Sequence, residues 1–226
     1  MKNIYLLILI LIPICLSSQN NPDWANLQKY ASENTKIKNV IDNKRVVFIG
    51  NSITEGWKEA DPSFFTKNPY INRGIGGQTT PQMLIRFRPD VLDLKPKVVV
   101  ILAGINDIAE NTGPMTAQET FGNIVSMAQL AKAQNIQVII SSILPANVFP
   151  WRPNIKPADK VIEINAMLKK YCLDSGTKYL DYYTSMVDSE KGLKKEFTTD
   201  GVHCTMEGYK HMETLVQTTI AEELKK

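Results

Sequence analysis

The apolar run at residues 97–103 constrains the fold more than any other stretch of the sequence. It reads Lys-Val-Val-Val-Ile-Leu-Ala and shows no alternation between apolar and polar positions. A strand that is apolar on both faces is typical of the centre of a parallel sheet covered by helices on both sides. Because parallel strands need long crossover connections, the run predicts an α/β chain.

The rest of the chain alternates between strand-like and helix-like segments, as that architecture requires. The other predicted strands cover residues 45–49, 70–72, 137–143 and 177–182. Predicted amphipathic helices cover residues 21–43 (as one helix or two), a segment ending near Leu94, and residues 117–134, 158–175 and 206–224. Right-handed crossovers between such units give a parallel sheet with helices on both faces.

The length of 226 residues suits one large domain with a substantial core. No internal repeat or low-complexity linker divides the chain, so we expect residues 20–226 to form a single domain. The formal net charge of +3 gives no electrostatic reason to expect nucleic acid as a partner. The sequence lacks an H-E-x-x-H motif and paired cysteines, so we expect no metal and no cofactor. It carries no signal of oligomeric state.

The N-terminus predicts export. Lys2 precedes an almost wholly apolar stretch, residues 4–16, and small polar residues follow at positions 17–20. This order is typical of a cleaved secretory signal, which we assign to residues 1–19. The apolar stretch is shorter than the roughly 20 residues of a membrane span, so we expect a periplasmic or extracellular protein with no membrane span after cleavage. Cys15 leaves a lipid or uncleaved anchor as the alternative, although Ile14 is not the small residue that lipoprotein signals require.

Signal cleavage would leave two cysteines, Cys172 and Cys204, in the exported chain. An oxidising compartment permits a disulfide between them. Two independent buried thiols are at least as consistent with the sequence, and both alternatives remain open at this point.

Ser52 follows the predicted strand at residues 45–49 almost immediately. It therefore lies at the carboxyl end of a parallel strand and near the start of a helix, where α/β proteins bind ligands and where developing negative charge is favoured. Two hypotheses fit this position equally well: a nucleophile, or a serine that caps the helix.

Four more residues follow predicted strands or precede the last helix. Gly77 follows the second strand, Asn106 follows the third, and Asp200 and His203 lie in the loop before the last helix. Each has an ordinary explanation as a turn glycine, a cap or a surface residue. Because parallel strands end at one edge of the sheet, a single site explains all of them together.

The residue types at this edge suit acyl transfer. A serine hydroxyl needs a base, and His203 is the candidate, since His211 lies inside the last helix and is expected on its surface. Asp200 precedes His203 by three residues and can accept the second imidazole N–H. Backbone N–H groups of Ser52 and Gly77, with the Asn106 side-chain amide, would stabilise the oxyanion.

Four short segments resemble the sequence blocks of the SGNH (GDSL-type) hydrolases, in the order of that family. They are residues 50–54, 74–79, 104–107 and 200–203. The resemblance implies a flavodoxin-like three-layer α/β/α sandwich with a five-stranded parallel sheet. It also implies that Ser52 is the nucleophile and that Gly77 and Asn106 are further oxyanion donors. Asp200 and His203 would complete the triad.

The first block has Asn51 before the serine and Ile53-Thr54 after it. This variant is usual in the subgroup that resembles lysophospholipases, platelet-activating-factor acetylhydrolases and carbohydrate acetylesterases. The hypothesis is therefore a secreted serine esterase acting through an acyl-enzyme on short acyl esters, above all O-acetyl groups on carbohydrates. A lysophospholipase or thioesterase-like acylhydrolase is the alternative, and a non-catalytic glycan-binding module is the alternative of another class.

Aromatic and basic residues provide candidate contacts to a small-molecule or glycan ester. Trp57 and Trp151 offer flat apolar faces to a sugar, and Arg73 and Arg152 are candidates to meet an acidic glycan, with a salt bridge or solvated surface as the alternative. Trp151 and Arg152 lie in a proline-rich loop, residues 144–157, of a length that is often functional. Core packing is the alternative for every aromatic residue and is favoured for Phe64 or Phe65.

Overall fold

Five parallel strands form one sheet in the order β2-β1-β3-β4-β5. The computed structural model describes residues 23–226. The strands are β1 (Val46–Gly50), β2 (Tyr70–Gly74), β3 (Val98–Leu102), β4 (Gln137–Ser141) and β5 (Lys178–Leu180). The predicted α/β fold with a five-stranded parallel sheet is confirmed, and β3, the predicted central strand, is buried along its whole length.

Nine α-helices lie in residues 23–226. They are α1 (Ala31–Ile37), α2 (Ser52–Ala60), α3 (Pro62–Thr66), α4 (Thr80–Asp90), α5 (Ile105–Ile108), α6 (Ala117–Lys132), α7 (Ala158–Ser175), α8 (Tyr183–Met186) and α9 (Met206–Glu223). Short 3₁₀ turns cover Leu92–Leu94 and Lys195–Phe197. None of these helices is long and apolar enough to cross a membrane.

The crossovers divide the helices between the two faces of the sheet. The step from β1 to β2 runs opposite to the later steps, so right-handed connections place α2 and α3 on one face and α4, α6 and α7 on the other. The C-terminal helix α9 packs beside α2 and against β4 and β5. The result is a helix–sheet–helix sandwich.

The strand order reverses at β1, which lies between β2 and β3. Gly50, the last residue of β1, is level with Gly74 of β2 and with Leu102 of β3. The segments that follow these three strands therefore leave the sheet at one edge and at similar height. Such a topological switch point is where open α/β sheets bind ligands.

Aromatic residues fill the space between β1 and the helices α2 and α3. Phe48 lies edge-on to Trp57, Phe64 and Phe65, with ring centroids 5.7, 5.9 and 5.5 Å away. Trp57 is only 1% exposed, and its indole nitrogen donates to the Glu213 carboxylate at 3.1 Å. The expectation that Trp57 contacts substrate is wrong, because the helix directs its side chain towards the sheet, whereas core packing is correct for Phe64 and Phe65.

The N-terminal part of the described chain is less helical than predicted. Only Ala31–Ile37 is helical, and residues 23–30 form turns. Asp23 accepts hydrogen bonds from the backbone N–H groups of Leu27 and Gln28, and Asn26 adopts a left-handed backbone conformation with φ of 54°. A left-handed residue interrupts an α-helix. The predicted signal at residues 1–19 lies outside the described residues.

Cys172 and Cys204, the cysteines in the described part of the chain, are both free thiols. Burial raises the pKa of Cys172 to about 11 and that of Cys204 to about 12. The sulfur of Cys204 lies 3.7 Å from the sulfur of Met212 in α9. Of the two alternatives, the structure therefore has independent thiols.

Candidate active site

Ser52 is the first residue of α2, directly after β1. The cap of this helix is Asn51, whose side-chain oxygen accepts the Ile53 backbone N–H at 3.1 Å. The Ser52 hydroxyl is therefore not needed as a cap. It lies 2.9 Å from Nε2 of His203 instead, a distance at which the imidazole can accept its proton.

His203 is oriented by Asp200. Oδ2 of Asp200 lies 2.6 Å from Nδ1 of His203, and its Oδ1 accepts the backbone N–H groups of Val202 and His203, each at 2.8 Å. Partial burial acts to raise the pKa of Asp200. The hydrogen bonds from the His203 side chain and from the two backbone groups outweigh burial and leave that pKa below its usual value. The carboxylate is thus ionised and fixed beside the imidazole near neutral pH.

Thr198 holds the loop that carries this pair, although it belongs to none of the four sequence blocks. Its hydroxyl donates to the His203 backbone carbonyl at 2.7 Å and accepts the Gly201 N–H at 3.0 Å. The segment is closed by a β-bridge between Thr198 and Cys204. Asp200-Gly201, which begins two residues after Thr198, is a turn-forming pair. This pair was the sequence signal for the loop that Thr198 holds.

Asn106 and Gly77 lie at the neighbouring strand ends. The Asn106 side chain is buried, and its amide nitrogen donates one hydrogen to the Gln78 backbone carbonyl at 3.0 Å. A second amide hydrogen remains for another acceptor. Gly77 has a φ of +74°, a left-handed conformation that favours glycine, and its carbonyl accepts a hydrogen bond from Asn111 at 3.1 Å.

Asp107, next to Asn106, was not among the predicted site residues, but it supports the Asn106 turn. Its side chain is fully buried, and its carboxylate accepts the Thr80 backbone N–H at 3.0 Å and the Thr80 hydroxyl. Burial raises the pKa of Asp107, and the hydrogen bonds from Thr80 partly oppose this. Because Thr80 begins α4, Asp107 ties the Asn106 turn to the start of that helix.

Arg73 does not face the site. It lies in β2 with no exposed side-chain surface, donates from Nε to the Asn34 side-chain oxygen at 2.9 Å, and stacks over the Tyr30 ring at 4.5 Å. The expectation that Arg73 binds an acidic glycan is therefore wrong, because α1 and the turns before it cover this side chain. Arg152, the other candidate, is exposed and donates to the Glu110 carbonyl at 3.4 Å.

Trp151 lies beside the predicted base. Its ring centroid is 6.1 Å from that of His203, and its other neighbour is Phe149, stacked at 5.3 Å. Trp151 is 43% exposed, whereas Phe149 is fully buried. The proline-rich loop thus anchors one aromatic residue in the core and presents the other next to His203.

His211 was expected on the helix surface, but it is half-buried. Its Nε2 lies 2.8 Å from the Ser185 hydroxyl, and its ring stacks on Phe197 at 5.0 Å. Its ring nitrogen pairs with Ser185 and not with Ser52. Within residues 23–226, no group of three or more histidine, cysteine or acidic side chains is arranged to hold a metal ion.

Comparison with known proteins decides the family. The sequence profile of the GDSL-like lipase/acylhydrolase family matches residues 48–211, which include the Ser52 strand end and the His203 loop. The chain belongs to this family. It is therefore an enzyme, an acylhydrolase, as the four sequence blocks predicted.

Several known proteins are similar to between 45% and 88% of the chain. The human platelet-activating factor acetylhydrolase IB subunit alpha2 is 30% identical over 174 residues, which cover 73% of this chain and 70% of the relative. Esterase TesA of Pseudomonas aeruginosa is 31% identical over 107 residues, covering 45% of this chain and 52% of that protein. The solved structure of a GDSL-like lipase from Bacteroides thetaiotaomicron is 50% identical, with a TM-score of 0.85 over 88% of this chain and 98% of that one.

Proposed function

We propose that this acylhydrolase is a serine esterase that removes short acyl groups, above all O-acetyl groups on carbohydrates, through an acyl-enzyme. The observation that carries the proposal is the continuous hydrogen-bonded chain of Ser52, His203 and Asp200, at 2.9 and 2.6 Å. Binding alone does not require a base aligned on a serine, so this series of hydrogen bonds argues against a non-catalytic glycan-binding module.

The first half-reaction forms the acyl-enzyme. Ser52 Oγ attacks the ester carbonyl carbon while its proton passes to Nε2 of His203. The tetrahedral intermediate collapses when the alcohol leaves and takes that proton from His203. Asp200 stabilises the imidazolium and keeps the ring in the tautomer that can accept the serine proton.

The second half-reaction releases the acid. Water gives a proton to His203 and attacks the acyl carbon, and Ser52 regains its proton as the carboxylic acid departs. In both steps the oxyanion would accept hydrogen bonds from the backbone N–H groups of Ser52 and Gly77 and from the free amide hydrogen of Asn106. Such preorganised donors stabilise charge only where it develops, which is what accelerates the reaction.

Two observations support a short acyl group on a sugar. The human relative is named an acetylhydrolase, which states a two-carbon acyl group. Trp151 offers a half-exposed flat face beside His203, the side from which the alcohol would leave. A flat apolar face is what a sugar ring packs against. The name of the Bacteroides relative, a GDSL-like lipase, favours longer acyl chains and makes a lysophospholipase or thioesterase-like acylhydrolase the second candidate.

We also propose that the protein works outside the cytoplasm. The support is the order of charged, apolar and small polar residues within residues 1–20. The N-terminal sequence of the secreted protein tests this proposal directly, since cleavage near Ser18 or Gln19 would remove Cys15 and with it any lipid attachment at that cysteine.

The test of the proposed function is the acyl preference. We expect kcat/KM to fall from p-nitrophenyl acetate through butyrate to octanoate, and acetate to be released from at least one of acetylated xylan, pectin and sialoside. Faster hydrolysis of the octanoate, with no acetate released from the glycans, favours the lysophospholipase alternative. No turnover of any ester, with undiminished glycan binding by Ser52→Ala, favours the binding module.

Trp151→Ala is expected to raise KM for the acetylated glycan by about 2- to 13-fold, the equivalent of the roughly 0.5–1.5 kcal/mol contributed by an aromatic contact. Hydrolysis of p-nitrophenyl acetate should change less, because its alcohol is not a sugar. Trp24→Ala is the matched control, since Trp24 is 44% exposed and Trp151 is 43% exposed. Equal KM changes in both variants would remove Trp151 from the proposed sugar contact.

A further inference from the structure

We infer that Glu55 is a positioning residue for the oxyanion donor at Gly77 and that Lys29 neutralises its charge. This inference rests on the proposed function, because it concerns the donor that the acyl-transfer mechanism requires. Glu55 itself would touch neither the substrate nor the reacting atoms. It would act through the backbone of Gly76, the residue before the donor.

Glu55 lies three residues after Ser52 in α2, and therefore on the same side of the helix. Its Oε2 accepts the Gly76 backbone N–H at 2.6 Å, and its Oε1 pairs with the Lys29 ammonium group. The helix that begins with Ser52 thus also holds the turn that follows β2. One helix, α2, therefore positions both the proposed nucleophile and the proposed donor.

The peptide group that carries the Gly77 N–H is held from both sides. On one side, the Gly76 N–H is bound by Glu55, and on the other side the Gly77 carbonyl accepts a hydrogen bond from Asn111 at 3.1 Å. Glycine at 77 adopts a left-handed φ of +74° and has no side chain to restrain it. Without the Glu55 contact, the direction of the donor N–H would be defined from one side only.

The turn is packed closely against α2. A Cβ placed on Gly76 would lie 3.0 Å from Glu55 Oε2 and 3.9 Å from the Ser52 Cβ. A Cβ on Gly74 would lie 2.1 Å from the Glu55 backbone nitrogen. Glycine at position 74 is therefore needed for this approach, because a Cβ there would overlap the backbone of α2. The Gly76 distances place the Glu55 carboxylate near the Ser52 side chain, where the oxyanion would form.

A carboxylate near a forming oxyanion opposes the reaction unless a cation compensates it. Lys29 provides that cation. The N-terminal turns that carry Lys29 are tied to the same region, since the Ala25 carbonyl accepts a hydrogen bond from the Gln78 side chain at 2.7 Å and the Tyr30 hydroxyl donates to the Gly74 carbonyl. Glu55 thus provides a useful hydrogen bond but carries a charge that Lys29 has to neutralise. The effects of substituting Glu55 and Lys29 are therefore expected to depend on each other.

The experiment compares Glu55→Ala, Glu55→Gln, Lys29→Met and the double variant Lys29→Met/Glu55→Gln. Glu59→Ala is the matched control, because Glu59 is an exposed acid one turn further along the same helix. The measurements are kcat and KM for p-nitrophenyl acetate per active site titrated with a fluorophosphonate, the inhibition constant of an alkyl boronic acid, and Tm.

We expect Glu55→Ala to lower kcat by about 10- to 100-fold with little change in KM, as a small displacement of a catalytic group does. Boronic acid affinity should fall in parallel, because the boronate anion uses the same donors. Glu55→Gln keeps an acceptor oxygen and should stay within about threefold of wild type, and Glu59→Ala should equal wild type. Lys29→Met should lose about three- to tenfold, and Glu55→Gln should restore it to the level of Glu55→Gln alone, since no charge then needs compensation.

Several results would overturn the inference. Unchanged kcat per titrated site in Glu55→Ala, or a lower kcat with unchanged boronic acid affinity, would show that Glu55 does not position the donor. Multiplicative losses in the double variant would show that Lys29 does not act by neutralising Glu55. If Glu55→Ala fails to fold, the comparison of Lys29→Met with the double variant decides alone. An inactive wild type would contradict the proposed function, whereas an active wild type with an undisturbed Glu55→Ala would contradict only this inference.

Discussion

Ser52→Ala is expected to lower kcat/KM for acetyl esters by about 10⁴- to 10⁶-fold. Loss of the proposed nucleophile would remove the proposed acyl-enzyme route, and serine hydrolases without their nucleophile retain only the smaller acceleration that oxyanion donors and substrate binding provide. The measurement is hydrolysis of p-nitrophenyl acetate, together with mass-spectrometric detection of a fluorophosphonate adduct on the peptide that contains Ser52.

The same variant should keep its thermal stability. Loss of a serine cap costs on the order of 1 kcal/mol, but Asn51 and not Ser52 accepts the N–H at the start of α2. Activity and Tm are therefore expected to separate, which distinguishes a chemical role from a structural one. Ser126→Ala is the control, because Ser126 lies in α6 and its hydroxyl donates to the Gly122 carbonyl. Residual activity of Ser52→Ala above about one tenth of wild type would exclude Ser52 as the nucleophile.

Arg86→Met is expected to lower the free energy of unfolding by about 3–5 kcal/mol, the typical effect of removing one partner of a buried ion pair. Arg86 has no exposed side-chain surface, and its Nη1 lies 2.9 Å from the Asp90 carboxylate. Burial lowers the pKa of Arg86, and the charge of Asp90 opposes that effect. Removal of the guanidinium leaves the Asp90 carboxylate buried without its cation.

The guanidinium also joins the ends of two strands. Its Nη2 donates to the Gly50 carbonyl at the end of β1, and its Nη1 donates to the Arg73 carbonyl in β2, each at 2.9 Å. Its Nε donates to the Gln78 side chain, and the Gln78 backbone carbonyl is the acceptor that orients Asn106. We therefore expect Arg86→Met to reduce kcat as well, in the fraction of the protein that remains folded.

Urea unfolding measures this prediction, with Arg88→Met as the matched control. Arg88 lies on the same helix, α4, but its side chain is 65% exposed and its contact with Asp93 is 4.0 Å long. Exposed pairs of this kind contribute about 1 kcal/mol or less. The double variant Arg86→Met/Asp90→Asn should be more stable than the sum of its single changes predicts, since the unpaired charge is gone. Equal stability of Arg86→Met and Arg88→Met would contradict the role of the buried pair.

The strands were predictable because their signal is local. The run at residues 97–103 is apolar at every position after Lys97, and a strand buried on both faces needs that composition wherever it lies in a parallel sheet. Ser52, Gly77 and Asn106 could be placed at one edge for the same reason, since parallel strands end together. Ser52 meets His203 and Asp200 because the segments that carry them lie at the same edge of the sheet.

Trp57 and Arg73 were misplaced because a residue type does not reveal the direction of its side chain. Trp57 lies five positions after Ser52 in α2, a rotation of about 140° at 3.6 residues per turn, so the two side chains point to different sides of the helix. Arg73 stands in a strand, where a charged residue suggests an exposed face. Its partners, Asn34 and Tyr30, belong to the N-terminal segment, which lies far from it in the sequence.

The sequence alone therefore predicts the class of the fold, the edge at which the candidate site residues meet and the residue types available for the proposed acyl transfer. Only the tertiary structure shows that Asn51 caps α2 in place of Ser52, that Arg73 and Arg86 are buried, and that Glu55 holds the turn before Gly77. The physical reason is the distance along the sequence over which each feature is determined. Periodicity and strand ends are encoded within a few residues, whereas hydrogen bonds and burial depend on which distant segments pack against each other.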